Sequence, residues 1–550
     1  MQIAVENFRS FLSTGLIRSS DLNVFIGKNS SGKSSLLRLY PLLKQTLSNE
    51  TSQPFLWYSP DYVDFGEYDD VLGNDKDAPI TFAFKFDLDP RNLYSFSNRE
   101  DYSFMNPLSM DKYIKRIHEL PDINIDLKLT TERDFLSKIV FKILGVTIEL
   151  GFSKDRLLNF KVNGSVLYNY KNSNNKGIRV YPVKRNLMTV VQANYTKSSN
   201  RSIQLNSTTT DSINRGTLLK DLFKDTYIFP ELLKLMYNLY SETDLKSSDV
   251  EEHFEIVTKS ILIGDFLILD RIHLRDRINE FFIRDFPYEK TDAIIDMFIV
   301  CYFNDFLIGI DNHLKSYFSR VKYIAPLRAT VQRYYRMQGI AVSEMDASGA
   351  NIPMIIANMS ERDFSRFQAW THENFNFVIE RSPTQGHISI LIRFGTETPR
   401  NIIDLGFGYS QLLPIIVEIW NTSNREKNGS SRNIKVPYTI VIEQPELHLH
   451  PAMQAEFIDV CTKIVGYNQR KNNKKIKFVI ETHSQTIINR ISESIRKEKL
   501  SKESVSVNIV NIDSDNNSSV KSIEFNEKGQ LTEWPIGFFS PESIKYDYKF

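Results

Sequence analysis

The period of apolar and polar positions changes several times along the chain. Gln2–Phe8 alternates and reads as a short strand, and Leu22–Ile26 is a compact apolar run that reads as a buried one. A Gly/Ser-rich turn follows. From Lys33 to about Leu47 a stripe of Leu36, Leu37, Leu39, Leu42 and Leu43 has helical spacing. From about Tyr62 to Tyr170 the pattern is β, with segments at Ile80–Phe86, Ile123–Leu129 and Lys138–Leu150. Residues 171–215 are rich in Asn, Ser, Thr and Lys and read as loop, whereas Thr217–Tyr317 returns to helical spacing through Leu232, Leu233, Leu235, Met236 and Leu239.

Beyond Val321 strands and helices alternate. Strands are predicted at Lys322–Ile324, His387–Phe394, Tyr438–Ile442, Lys477–Ile480 and Val505–Ile512, with helices at about Ser410–Trp420, Ala452–Val465 and Gln485–Ile495. Such alternation makes a mostly parallel sheet with helices on its faces, so an α/β fold is expected. The two ends of the chain are expected to form one nucleotide-binding domain interrupted by an insertion. Residues 1–170 would supply its first part with a β lobe, 171–320 a loop-rich and helical insertion, and 321–550 the remainder.

Composition narrows the class. The 68 Lys and Arg nearly balance 67 Asp and Glu, which excludes an acidic tail or a histone-like chain. With 37 Phe, 25 Tyr and 41% hydrophobic residues, the chain can bury a large core and is not disordered as a whole. Cys301 and Cys461 are far apart and in no CxxC, which removes a disulfide framework or cysteine zinc site. The first residues are neither a signal nor a transit peptide, and no apolar run approaches the roughly 20 residues that cross a bilayer. A cytoplasmic protein without membrane contact is the expectation.

Four motifs carry chemistry. Gly27-Lys28-Asn29-Ser30-Ser31-Gly32-Lys33-Ser34 is a GxxxxGK[ST] phosphate loop, placed between a predicted strand and a helix. Its glycines let backbone N–H groups turn toward phosphate oxygens, Lys33 reaches the β/γ-phosphates, and Ser34 offers a hydroxyl to Mg2+. Tyr438–Ile442 runs into Glu443-Gln444-Pro445-Glu446-Leu447-His448-Leu449-His450-Pro451, an apolar strand ending in a carboxylate suited to the water shell of Mg2+. Glu446, His448 and His450 also invite a metal reading, although histidines two apart more often pack or shape a turn. Asp404-Leu405-Gly406-Phe407-Gly408-Tyr409-Ser410-Gln411 opens a helix and reads either as a second anion cradle or as a tight turn. Phe478-Val479-Ile480-Glu481-Thr482-His483-Ser484 places a histidine just beyond a strand.

The order of these motifs resembles the ATP-binding-cassette heads of the RecF, Rad50 and SMC class: phosphate loop, signature, Walker B with Leu-His-Pro, then switch histidine. The resemblance covers about residues 1–66 and 320–540. It implies an ABC ATPase head, a mixed sheet with flanking helices and an antiparallel β lobe, that uses ATP and Mg2+. In it Gly27, Asn29, Ser31, Gly32, Lys33, Ser34 and Ser35 would hold phosphates, with Ser34 and Glu443 on the metal. Glu443, Gln444 and His483 would occupy the catalytic positions. Gly408, Ser410 and Gln411 would form the signature that caps ATP on a second subunit, Arg9 matches the early arginine placed near the nucleotide, and Gln45 is a Q-loop candidate. The residue after the Walker B carboxylate is normally a glutamate; Gln444 cannot act as a base near neutral pH, so hydrolysis is expected to be slow, or assisted by Glu446, His483 or a partner.

Tyr323-Ile324-Ala325-Pro326-Leu327-Arg328, Glu443-Gln444-Pro445-Glu446 and the tail Trp534–Phe539 resemble the standalone PtuA-type ATPases of Septu and retron-associated antiphage systems. That resemblance implies a homodimer or larger homo-oligomer, a partner HNH nuclease, and contact with DNA or a retron nucleic-acid and reverse-transcriptase complex. A RecF-like repair ATPase is the alternative. Intrinsic nuclease activity is not expected, because Asp513-Ser514-Asp515 stands in an Asn/Ser-rich stretch that reads as a turn. For DNA, the run Arg470–Lys477 and the weaker set Arg179, Lys184 and Arg185 beside Tyr181 are the basic candidates.

Overall fold

A computed structural model of the chain describes residues 1–90, 121–170, 179–182, 187–192, 303–337, 344–424, 436–471 and 476–533, with residues 292, 295–296, 299–300 and 342. Most of the expected helical insertion, residues 183–185, residues 472–475 of the basic run and the tail from Trp534 lie outside the described residues. The chain divides into two compact units. One holds Gln2–Asn49, Phe55–Ile80 and Lys315 onward; the other holds Glu50–Pro54 and Thr81–Leu314.

The first unit opens with strands β1 (Gln2–Phe8) and β2 (Phe11–Ser13), an antiparallel pair, and with β3 (Leu22–Ile26), all of whose residues are buried. The helical run expected from Lys33 is two helices, α1 (Lys33–Leu37) and α2 (Leu39–Ser48), which meet at Arg38. The short α3 (Tyr68–Val71) is closed by a capping box between Glu67 and Asp70.

The second unit is an antiparallel lobe of β4 (Ile80–Leu88), β5 (Ile123–Thr131), β6 (Leu136–Ile143), β7 (Val146–Ser153), β8 (Arg156–Val162), β9 (Ser165–Asn169), β10 (Arg179–Pro182) and β11 (Thr189–Gln192). Strict alternation on β5 buries Ile123, Ile125, Leu127 and Leu129 on one face. The apolar run Lys138–Leu150 is two strands rather than one. Leu144 and Gly145 both take positive φ, the backbone of a two-residue hairpin turn whose twist matches its strands. Helix α4 (Phe303–Ser319) contributes Phe303 against Phe160 and His313 stacked on Phe86 at 4.7 Å.

The rest of the first unit comprises β12 (Val321–Ile324), β13 (Tyr335–Arg336), α5 (Ile352–Ala357), α6 (Glu361–Phe375), β14 (Phe377–Thr384), β15 (His387–Phe394), β16 (Arg400–Asn401), α7 (Phe407–Asn424), β17 (Tyr438–Glu443), α8 (Pro451–Lys471), β18 (Ile476–Glu481), α9 (Gln485–Arg496), β19 (Val505–Ile512) and β20 (Ser518–Ile523). Its main sheet runs β12-β17-β18-β3-β19-β20, parallel except for β20. The central strands are buried nearly throughout, as a parallel sheet covered on both faces requires. A small antiparallel sheet of β13, β15, β14 and β16 packs with α5 and α6 into the same core. The expected α/β ATPase head architecture is therefore present. Among the described residues no helix is long and apolar enough to cross a membrane.

Candidate nucleotide site

The phosphate loop leaves the carboxyl end of β3 and enters α1, so its position is fixed by the most buried part of the sheet. Gly27 is required sterically: a Cβ there would lie 2.2 Å from the backbone oxygen of Val510. Gly32 has φ +95°, and a Cβ would come within 2.7 Å of the Phe11 ring. Lys28, Asn29 and Ser30 form the exposed rim, whereas Gly27, Ser31 and Lys33 are buried. The Lys33 ammonium donates to the carbonyls of Gly27 at 2.8 Å and Lys28 at 2.7 Å. Burial holds its pKa below the ordinary value, against the opposing pull of Glu481 and Glu446.

Two strand-end carboxylates stand beside this loop. β17 and β18 are parallel neighbours with Glu443 opposite Glu481, and β18 lies between β17 and β3. That order puts Glu481 nearer the loop. The Ser34 hydroxyl donates to the Glu481 carboxylate, whose two oxygens lie 3.0 and 2.8 Å from it. Glu443 faces Arg38 instead, accepting from Nε at 2.8 Å and Nη2 at 2.9 Å, and it also accepts from the Tyr323 hydroxyl at 2.8 Å. Arg328 closes the group by donating to the backbone oxygen of Glu443 at 2.9 Å, while its Nε and Nη1 are buried with no hydrogen-bond partner among the described residues. Burial, and then the neighbouring charge of Glu443, raise the Glu481 pKa to about 7. Burial lowers that of Arg328 to about 10.

Gln444 takes a left-handed backbone at φ +45°, and its N–H donates to the Glu481 carbonyl at 2.9 Å. A non-glycine residue in that region is held there by its surroundings. Glu446 accepts from Thr482 Oγ1 at 2.8 Å and from the His483 N–H at 2.7 Å, which ties the segment after β17 to the histidine after β18. Burial raises the Glu446 pKa; burial, and then the Lys33 charge, lower that of His483. Lys33, Ser34, Glu443, Gln444, Glu446, Glu481 and His483 thus share one neighbourhood.

Other expected site residues lie differently. Arg9 lays its guanidinium over the Phe65 ring at 4.7 Å. The Gln45 side chain is buried and spent on the backbone of Leu56 and Val63, so it staples α2 to the segment after it. Ser410 and Gln411 are buried in α7, and Ser410 donates to the Phe407 carbonyl at 2.6 Å. The exposed part of that turn is Asp404, Gly406 and Phe407, with Gly408 packed so that a Cβ would sit 3.1 Å from the His448 carbonyl. His448 lies against Phe407 with ring centroids 5.8 Å apart, and His450 Nδ1 accepts from the Ala452 N–H at 3.3 Å. With Glu446 engaged elsewhere these three do not converge, and among the described residues no group of three His, Cys, Asp or Glu could by itself hold a metal ion. Asp513 Oδ1 accepts from the N–H groups of Asp515 and Asn517, which makes the DxD a turn.

The motif reading missed Arg38, Tyr323, Arg328 and Glu481 as parts of the site. For Glu481 a signal existed, since Phe478–Ile480 ends in a carboxylate just as Tyr438–Ile442 does. The donor set of Ser34, Glu481 and Glu443 is all oxygen and fits Mg2+, which on a nucleotide takes most of its ligands from phosphates and water.

The family described as the AAA ATPase domain matches residues 1–488. The DNA replication and repair protein RecF of Lactobacillus acidophilus is 26% identical over 128 residues, 23% of this chain and 32% of that protein. The chain thus spans about a third of the length of that curated relative. Solved structures include the Smc head domain with an extended coiled coil bound to the C-terminal domain of ScpA, from Pyrococcus furiosus (10% identity, TM-score 0.33, 95% of this chain and 96% of that one). The SMC head domain from Thermotoga maritima aligns at 11% identity and TM-score 0.32, over 94% and 97% of the two chains. Likeness that loose carries no functional inference. With the family match spanning most of its length and its phosphate loop in place, the chain belongs to the AAA ATPase domain family.

Proposed function

We propose that this chain binds ATP with Mg2+ at the loop Gly27–Ser34, hydrolyses it slowly, and works as the regulatory subunit of an antiphage defence system by controlling a partner HNH-type nuclease. The observation that carries the ATP reading is the phosphate loop with Lys33 buried at its centre and Ser34 bonded to the buried strand-end carboxylate of Glu481, next to Glu443 on the adjoining strand. Lys33 would exchange its loop carbonyls for phosphate oxygens, while Gly27, Asn29, Ser31, Gly32 and Ser35 line the cradle. Mg2+ would neutralise charge on the phosphates, held by Ser34 and a strand-end carboxylate beside it. Gln444 can orient a water through its amide but cannot take its proton, so hydrolysis would be slow or would rely on His483 or Glu446 to accept it. Slow turnover suits a switch. Glu446 would link the segment after β17 to the backbone at His483, because its carboxylate accepts from the Thr482 hydroxyl and the His483 N–H.

The regulatory reading rests on the resemblance of Tyr323–Arg328, Glu443–Glu446 and the tail to PtuA-type ATPases. It implies a homodimer or higher homo-oligomer, with Gly408, Ser410 and Gln411 of one subunit capping ATP on the other, and a retron or DNA component within reach. Purification from the native operon, with nuclease assays with and without ATP, tests it. A co-purifying nuclease whose activity responds to ATP supports it. The RecF match favours a second reading as a DNA-repair ATPase, which a partnerless homodimer with DNA-stimulated hydrolysis would select.

A further inference from the structure

Sequence order assigns the metal-holding carboxylate to Glu443, but the geometry around Ser34 favours a different residue. Ligand oxygens about 2.1 Å from an octahedral Mg2+ stand about 3.0 Å apart along an edge of the octahedron. Ser34 Oγ already lies 3.0 and 2.8 Å from the oxygens of Glu481, so one ion can take both residues as ligands with little movement of either. Glu443 lacks that freedom. Its carboxylate is clamped by both arms of Arg38 and by Tyr323, and its backbone oxygen by Arg328. Direct ligation by Glu443 would break a bidentate ion pair and set a dication against a guanidinium.

We propose that Glu481 is the carboxylate that joins Ser34 directly on Mg2+, and that Glu443, gripped by Arg38, is a positioning residue that fixes the neighbouring strand end without ligating the ion. This inference rests on the ATP reading above. It moves the metal contact from the strand that carries the Walker B sequence to the strand inserted between it and the phosphate loop. It also gives Glu481 a role that its spacing to His483 does not reveal.

The test is titration of the fluorescent analogue MANT-ATP with wild type, Glu481→Gln, Glu481→Cys, Glu443→Gln and Lys33→Ala, in EDTA and across Mg2+ concentrations. Glu481→Gln should raise the half-maximal Mg2+ concentration at least about tenfold. In EDTA the same variant should bind MANT-ATP more tightly than wild type, because a carboxylate that repels the triphosphate has gone. A purely structural Ser34–Glu481 bond would not give these opposite signs. Glu481→Cys should lose the response to Mg2+ and gain one to Cd2+, since a thiolate prefers the softer ion, and such rescue also shows that the variant folds. An unchanged Mg2+ midpoint in Glu481→Gln, or no Cd2+ response in a Glu481→Cys protein that still binds MANT-ATP, overturns the inference while leaving ATP binding intact. Wild type that fails to bind MANT-ATP, or binds it no better than Lys33→Ala, overturns the ATP reading and this inference together.

Discussion

Arg38 holds Glu443 by both carboxylate oxygens, Nε at 2.8 Å from Oε1 and Nη2 at 2.9 Å from Oε2. The arginine stands where α1 gives way to α2, and the glutamate closes β17, so one ion pair joins the phosphate-loop helices to the neighbouring strand end. Removing one partner of a wholly buried pair costs about 3–5 kcal/mol, because the other charge is stranded. Arg38 is 32% exposed and Glu443 1%, which lowers the expectation for Arg38→Met to about 2–3 kcal/mol. Urea unfolding of the variant should show a loss of that size. Arg38→Lys should recover only part of it, since an ammonium cannot reproduce the two-pronged contact.

Gln444→Glu supplies the missing carboxylate next to Glu443. Its backbone, at φ +45°, is already held by the bond to the Glu481 carbonyl, and the two side chains have the same shape. Phosphate release should rise about a hundredfold, the low end of what a positioned general base contributes. An unchanged rate would mean that another group handles the proton.

Gly32→Ala introduces a Cβ within 2.7 Å of the Phe11 ring at a residue whose φ is +95°. A non-glycine residue there carries about 1–3 kcal/mol of backbone strain before any clash. The expected result is a lower unfolding midpoint together with loss of nucleotide binding, read by urea titration and MANT-ATP fluorescence.

His313 stacks on Phe86, and burial, followed by the positive chain terminus, lowers its pKa to about 4. Between about pH 4 and the ordinary value near 6.5 the unfolded chain binds more protons than the folded one, so stability rises with pH through that window. The contribution is complete above the unfolded value and is lost as pH falls through the folded one, and it amounts to at most about 3 kcal/mol. His313→Phe keeps the stack and should flatten the pH dependence of lobe unfolding, measured by urea midpoints at pH 4.5 and 7.5.

Strands β3, β17, β18 and β19 were legible because a strand buried on both faces is a continuous apolar run, and the phosphate loop because its glycines sit where a side chain cannot. The breaks were harder to see. Lys138–Leu150 reads as one apolar segment, yet Leu144 and Gly145 turn it back, and the break at Arg38 hides inside an unbroken leucine stripe. Arg38 and Glu481 escaped notice as site residues for a shared reason. An arginine on a helix and a glutamate at a strand end both read as solvated, and only the strand order brings Glu481 to Ser34 and Glu443 to Arg38. Ser410 and Gln411 show the converse: a Gly/Ser-rich opening marks the start of α7, but the side chains that the motif singles out are packed inside.

The most direct measurement is MANT-ATP binding to wild type and Lys33→Ala with Mg2+ present. Lys33 is buried at the centre of the loop and its ammonium makes two hydrogen bonds there, which phosphate oxygens would replace. Two charge-assisted hydrogen bonds of about 1.5–3 kcal/mol each set the scale, so Lys33→Ala should bind at least about a hundredfold more weakly. Equal affinity in the two proteins would contradict ATP binding at this loop.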